Sequence, residues 1–468
     1  MPGICPEDAQ EKIPALIHLT RLGYRYLSLS ETRRDRGTNI LPEILRESVI
    51  RINGRLMSDT EFGILFSEIQ SSLDLEDLGK TFYQGLRNSW KGVRLIDYTH
   101  PDHNRFHVMT ELPYIGGQNR FRPDITLFVN GLPLAFIELK NKGPKEGIRS
   151  EYSRMISRSR NPAFLRFINL TQLMVFSNDE EYNENELLPV RGAFYATSTY
   201  NDLAVHPFEE ERENSCRIKT PDPNEVSRIL RDNQADALSD DPAFLSSLSP
   251  DSPTHRLLTS LFRAQRFLFF LQYGIFYSAA GGADKKTHVE KRVIRPPQLF
   301  AIRYLDRRLQ NRQSECILYV NRGGRPEIAY ALIHYMNDYF GKFSRQVQYD
   351  YLTDSPALVQ ILWNTFRSLG FRVQKMTKAA SLDPGIMRER NLELPSGPQI
   401  FLYCLPDFTG FKKPELSRGW SPVQRVCFLD GIMNAYTSGI SLLSRLRRED
   451  PQAFWIIFSD EQNHISLN

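Results

Sequence analysis

The sequence predicts an α/β protein of two domains, the first built on a mixed sheet with flanking helices. Three observations predict it. A chain of 468 residues is too long for one ordinary hydrophobic core. Residues 209–253 shift in composition to Asp, Ser, Pro and Glu, which marks a connector with short helical pieces such as 224–232, either free or partly ordered against its neighbours. And residues 121–142, FRPDITLFVNGLPLAFIELKNK, hold two apolar, β-rich runs on either side of Asn130-Gly131, the strongest short hairpin signal.

Composition bounds the rest. Hydrophobic residues at 41% and charged ones at 24% supply real cores, and no run approaches the ~18 apolar residues of a membrane span. The start, Met1-Pro2-Gly3-Ile4-Cys5, leads into acidic residues rather than the basic and then apolar pattern of a secretory signal. Cysteines 5, 216, 316, 404 and 427 form no Cys-x-x-Cys pair with histidines, so free thiols in a reducing cytoplasm are expected. A net charge of +4 permits a polyanionic partner without demanding one.

In chain order, residues 6–27 read as an amphipathic helix and 30–38 as a charged turn. Pro42 opens a helix whose stripe is Ile44, Leu45, Val49 and Ile52. Residues 73–90 read as a further helix, and 92–98 and 104–111 as strands leading to the hairpin. Asp97 and His103 are read as structural, with an approach to the site as the alternative. Residues 146–159 follow as a helix bearing Arg149, Arg154 and Arg158, the last two on one face. That face either meets phosphates or is simply solvated. Strands at 170–177 and 192–197 complete the domain. Past the connector, 255–277 reads as one buried helix, and 281–295 carries Lys285, Lys286, Lys291 and Arg292 in the densest basic stretch, a candidate nucleic-acid contact.

The hairpin carries chemistry. Its turn returns Glu138 beside Asp124, and the alternation of a strand puts Glu138 and Lys140 on one face with Leu139 turned inward. Two carboxylates at the ends of adjacent strands suit Mg²⁺, which takes few protein ligands and keeps water and substrate oxygens for the rest. Lys140 is suited to orienting a water and stabilising negative charge. The alternative is an edge hairpin with a solvated charged end.

Pro123-Asp124 followed by Glu138-Leu139-Lys140 resembles the PD-(D/E)xK nuclease motif, in the wording found in the R (restriction) subunits of type I restriction-modification enzymes. Further similar stretches are Leu22-Gly23-Tyr24, Arg51-Ile52-Asn53, Leu95-Ile96-Asp97-Tyr98, Asn104-Arg105-Phe106 and Gln298-Leu299-Phe300-Ala301. The resemblance implies a restriction-endonuclease-like domain over 1–208, a connector over 209–254, and a single RecA-like parallel-sheet domain over 255–468. It implies a Mg²⁺- or Mn²⁺-dependent DNA endonuclease with Asp124, Glu138 and the Leu139 carbonyl on the metal and Lys140 on the attacking water. It also implies defence against foreign DNA in a bacterial or archaeal cytoplasm, beside another subunit that recognises the target. Such nucleases often add a Glu from an early helix, for which Glu43, Glu47, Glu61 and Glu68 are all available. The Gln-x-x-x-Tyr usual after the motif is replaced here by Ser153 and Ser157.

The resemblance also locates where a motor would bind nucleotide. Gln298 stands in the adenine-recognition position, 316–320 in the first strand, 426–430 in the Walker B strand and 453–459 in the strand after it. The phosphate loop should carry Lys-Ser/Thr, yet the chain reads Asn321-Arg322-Gly323-Gly324-Arg325-Pro326-Glu327. Pro326 removes an N–H donor, and Glu327 would meet an incoming phosphate with negative charge. Asp430-Gly431-Ile432-Met433 lacks the Glu that polarises water. Gln298, Arg325 and Asp430 are therefore a degenerate nucleotide site and ATP hydrolysis is not expected. With the chain ending at Asn468, no second motor lobe is expected either.

Overall fold

A computed structural model describes residues 11–116, 119–141, 146–182, 192–199, 202–207, 218–281, 287–319, 324–376, 398–404, 424–430 and 451–459, with 444 and 448. It is α/β, with a seven-stranded mixed sheet in one compact unit and a six-stranded parallel sheet in a second.

The first unit spans 1–277 and 281–293. It opens with α1 (Ile13–Arg21), β1 (Arg25–Tyr26), α2 (Pro42–Asn53), α3 (Asp59–Ser72) and α4 (Lys80–Arg87). The strands β2 (Phe106–Thr110), β3 (Tyr114–Gly116), β4 (Asn119–Phe121), β5 (Ile125–Val129) and β6 (Leu132–Leu139) follow. Helices α5 (Glu146–Ser159) and α6 (Leu165–Leu170) lead to β7 (Leu173–Ser177), β8 (Ala193–Ser198) and β9 (Leu203–Pro207). The sheet order is β1-β2-β5-β6-β7-β8-β9. β6 and β7 run parallel, and such a pair needs a crossover, which α5 and α6 supply.

Every residue of β5 and β6 is buried, as in a strand covered on both faces. On one face Phe136 meets Phe121 at 5.8 Å and Phe167 at 5.5 Å between ring centroids, with Ile148, Tyr152 and Met155 of α5 in the same core. Loss of one such ring costs about 3–5 kcal/mol. The expected turn is present: Asn130 and Gly131 both have positive φ, 54° and 82°. Asn130 also uses its side chain, accepting from the Arg105 N–H and donating to the Leu95 carbonyl and to Asn104.

Several expectations shift. The helix read over 73–90 begins only at Lys80, because the Asp77 carboxylate takes the N–H groups of Gly79 and Thr81 and caps the helix there. The strand read over 92–98 is a loop whose one ladder contact is Trp90 with Val93, since Lys91 and Gly92 both turn to positive φ. Within the stretch read as a connector, the short helix expected at 224–232 is present as α7 (Pro223–Asp232), and with α8 (Pro242–Ser247) it buries Ile229, Leu230 and Phe244. They lie in the first unit, where Glu225 accepts the Tyr26 N–H and the Leu248 carbonyl accepts from Arg21. The single helix read over 255–277 is two, α9 (Pro253–Phe262) and α10 (Ala264–Tyr273), broken where Arg263 takes ψ 135°. Tyr195 of β8 meets Phe270 of α10 edge-on, so these helices cover the sheet of the first unit. Strands β10 (Ile275–Gly281) and β11 (Thr287–Val293) form a two-stranded ribbon.

The second unit holds 278–280 and 294–468. Its described elements are α11 (Pro296–Gln310), β12 (Glu315–Tyr319), α12 (Arg325–Gly341), β13 (Val347–Thr353), α13 (Pro356–Ser368), β14 (Arg372–Met376), β15 (Gln399–Cys404), β16 (Gln424–Asp430) and β17 (Phe454–Ser459). The order is β12-β17-β16-β13-β15-β14, every described pairing parallel. Alternation splits the strands cleanly. Tyr351, Phe428 and Phe458 stack on one face, while Leu352, Leu429 and Ile457 form a core cluster on the other.

Candidate functional site

Ile125 pairs with Ile137, so Asp124 stands across from Glu138 at the open end of the hairpin, away from its turn. The Asp124 carboxylate accepts the Leu139 N–H at 2.7 Å, which fixes its orientation. Glu138 is 4% exposed, and its Oε1 has no hydrogen-bond partner among the described residues. Burial raises the pKa of both carboxyls, and each is raised further by a neighbouring carboxylate, Glu111 beside Asp124 and both Asp124 and Glu151 beside Glu138. Leu139, between Glu138 and Lys140 in sequence, is buried, and the Lys140 side chain is about one-fifth exposed.

The helix after the motif supplies a residue that the sequence reading passed over. Glu151 of α5 is buried and faces Lys140 at 3.8 Å, Arg154 at 2.6 Å and Arg158 at 3.8 Å. Arg154 and Arg158 do share a face, but that face turns toward Glu151. Arg158 lies over the Phe121 ring at 3.9 Å, and burial lowers its pKa. Of the three arginines expected to meet phosphate, Arg149 is exposed with no charged partner among the described residues. Ser153 and Ser157 are exposed, Ser157 donating to the Ser153 carbonyl.

The four early glutamates have other partners. Glu43 pairs with Arg33, Glu47 with Arg105, Glu61 closes the capping box of α3 with Ser58, and Glu68 accepts from Trp90 and Lys91. The acidic neighbour that Asp124 meets is Glu111, held by Lys12 at 3.0 Å. Asp97 and His103 lie with Asn104 beside Asn130, at the turn end of the hairpin and not at the carboxylate end.

Lys285 and Lys286 lie outside the described residues. Arg292 pairs with Glu290 at 3.0 Å. Lys291, read as part of the basic stretch, is fully buried and donates to the Thr171 carbonyl at 2.8 Å, with its pKa pushed down to about 7 by burial.

In the second unit the three degenerate-site residues are engaged internally. Arg325, the first residue of α12, is 4% exposed and ion-pairs with Asp430 at the end of β16. The Tyr351 hydroxyl donates to the other Asp430 oxygen at 2.6 Å. Gln298 accepts the Arg295 N–H through its side chain, capping α11. Both carboxylate oxygens of Asp430 are thus taken by side chains of its own unit.

Comparison with known proteins gives a consistent picture for the first unit. Residues 5–184 match the family described as the N terminus of the type I restriction enzyme R protein. The type I restriction enzyme HindI endonuclease subunit of Haemophilus influenzae is 33% identical over 148 residues, 27% of this chain and 14% of that relative. A type I restriction enzyme endonuclease subunit of Methanocaldococcus jannaschii, MjaVIIP, is 37% identical over 106 residues, 20% of this chain and 10% of the relative. The chain thus matches only a small part of the length of these relatives.

Proposed function

From a chain that is R-subunit-like over its N-terminal region, we propose a Mg²⁺- or Mn²⁺-dependent endonuclease of the PD-(D/E)xK type that cuts DNA in defence against foreign DNA. The observation that carries this reading is the buried pair Asp124 and Glu138, with one Glu138 oxygen unpartnered among the described residues and the like charges of Asp124 and Glu151 crowding Glu138. Such a pair is unfavourable alone and is relieved by a cation. The donor set therefore fits a hard divalent ion, with Asp124, Glu138 and the Leu139 carbonyl as its protein ligands. The bound ion would supply Lewis acidity, lowering the pKa of a water and neutralising charge on the phosphodiester.

The chain's own groups do the rest. Asp124 is held in orientation by the Leu139 N–H, so its free oxygen is presented rather than left to rotate. Lys140 positions the attacking water and stabilises the developing oxyanion through its ammonium. Glu151 holds Lys140 and Arg158 from behind, and exposed Arg149 contacts the DNA backbone by charge. The second unit docks partners or regulates and does not hydrolyse ATP, a reading supported by the Arg325–Asp430–Tyr351 cluster. Target recognition falls to another protein subunit, in a bacterial or archaeal cytoplasm.

A second reading is a scaffold or nucleic-acid-binding subunit with little cleavage of its own, favoured by the turn of Lys140 toward Glu151. The deciding experiment incubates the purified chain with supercoiled, linear and single-stranded DNA in Mg²⁺ or Mn²⁺, beside Asp124→Ala and Lys140→Ala. Cleavage that falls at least ~10²-fold in both variants supports the nuclease. Intact DNA binding without cleavage, in the chain alone and in lysate containing its neighbouring gene products, supports the scaffold.

A further inference from the structure

The stretch Asp97-Tyr98-Thr99-His100-Pro101-Asp102-His103 takes no part in the carboxylate centre. We propose that Asp97, His100 and His103 form a second cation site, selective for an imidazole-preferring divalent ion of the Zn²⁺ class, which fastens this loop to the turn end of the hairpin.

The local sequence builds it. The N–H groups of Thr99 and His100 both donate to Asp97 Oδ1 at 3.0 Å, so that oxygen is committed and Oδ2 is left to face the two histidines. Pro101 opens a single 3-10 turn, Pro101–His103, and fixes the path between the two histidines. His103 Nδ1 then lies 2.9 Å and His100 Nδ1 3.5 Å from Asp97 Oδ2. The imidazoles stack with centroids 4.9 Å apart.

Spacing favours an ion. Ligand atoms around a tetrahedral Zn²⁺, at about 2.0–2.1 Å each, are separated by roughly 3.3 Å. The two measured separations bracket that value, and one ligand atom from each residue lies within 4.8 Å of the others. Among the described residues this is the cluster of three His, Cys, Asp or Glu groups with such spacing. Burial is asymmetric in the way a loaded site needs. The Asp97 carboxylate is 3% exposed, while the His100 and His103 side chains are 63% and 48% exposed, so an ion has a fixed protein anchor and an open approach.

The anchor is rigid. Asn104 accepts the Asp97 N–H and donates to the Asp97 carbonyl, and it accepts from Asn130 in the hairpin turn. Asp124 lies six residues before Asn130 along β5, roughly 20 Å at about 3.4 Å per residue, so one ion cannot serve both places. Chemistry separates them as well. Two imidazoles and one carboxylate suit Zn²⁺ or Ni²⁺, whereas Mg²⁺ takes oxygen ligands.

The test is calorimetric titration of the full chain with Zn²⁺ in a buffer holding millimolar Mg²⁺. Three variants are compared with it: Asp124→Ala/Glu138→Ala, His100→Ala/His103→Ala and, as a histidine control outside the cluster, His288→Ala. The proposal expects one Zn²⁺ per chain in the wild type, the carboxylate variant and the control, and affinity at least about ten-fold weaker in the histidine variant. Co²⁺ substitution should give the visible absorption of a four-coordinate ion, lost in the same histidine variant. Because both histidines are exposed, their truncation should leave the melting temperature without metal unchanged. Zn²⁺ binding of equal strength in the histidine variant, or none in the wild type, overturns the site. So does loss of Zn²⁺ binding only in the carboxylate variant.

Discussion

Asp124 and Asp430 are both acidic residues at the end of a strand in a tightly packed sheet, and the protein treats them oppositely. Asp124 has Glu138 and Glu111 near it together with the ammonium groups of Lys140 and Lys12, and one Glu138 oxygen beside it has no hydrogen-bond partner among the described residues. Asp430 has one oxygen on the Arg325 guanidinium and the other on the Tyr351 hydroxyl. A buried charge that is left unpaired is held at a cost, and one that is fully paired resists any change. On the proposed function the first arrangement takes a cation from outside, while the second already contains its cation.

The sharpest way to break the contrast is to make Asp430 resemble Asp124. Arg325→Ala removes the guanidinium and leaves Asp430 buried with only Tyr351, which should destabilise the second unit by about 3–5 kcal/mol. Guanidinium unfolding with a probe in each unit should show the transition of the second unit shifted. If Arg325 were instead held out for a phosphate, the substitution would leave the transition in place and abolish nucleotide binding.

The converse change makes the nuclease pair resemble the satisfied one. Glu138→Gln should stabilise the metal-free protein by about 1–3 kcal/mol while eliminating cleavage. The pH dependence follows from the raised pKa. Below the unfolded value of 4.5 the folded Glu138 is protonated without penalty, and that advantage is lost as pH rises through its higher folded value. The stabilisation by Gln should therefore be near zero at pH 4 and largest at pH 8. Added Mg²⁺ should raise the wild-type melting temperature more at pH 8 than at pH 6, and should do little for the variant. A uniform gain across pH would assign the effect to packing instead.

How much of this contrast was legible in the sequence depended on how local its cause was. The hairpin was readable because Asn130-Gly131 dictates the turn, and the turn dictates that Asp124 meets Glu138. The loop at 92–98 was not, since Leu95 and Ile96 are buried without a strand partner and their apolarity imitates a strand. Segment 209–254 reads as a connector by composition, with a helix legible at 224–232, while the packing of its described part, through a few apolar residues such as Ile229 and Phe244, has no local signature. The mutual pairing of Arg325 and Asp430 joins residues 105 apart and has no local signature. Lys291 was read by its charge, although it shares strand parity with Val293 and both are buried.

Glu151 gives the smallest of these effects and the finest test of the comparison. In the sequence it looks like one charge on a solvated face with Arg154 and Arg158. Its neighbours Ile148, Tyr152 and Met155 are all buried, however, and together they place it on the inward stripe of α5. There it is the anionic counterpart of Arg325, an internal partner that holds Lys140 and Arg158 at the edge of the carboxylate pair. It also adds repulsion to Glu138, so its net effect on folding is a difference of opposed terms. Glu151→Gln should therefore change stability by less than about 1 kcal/mol while slowing cleavage about 10-fold through a misplaced Lys140. Substrate affinity should hardly move, so the loss should lie in kcat rather than KM. Equal loss in both would mean that Glu151 shapes the DNA-binding face, and that the cluster on α5 belongs to recognition and not to the chemistry.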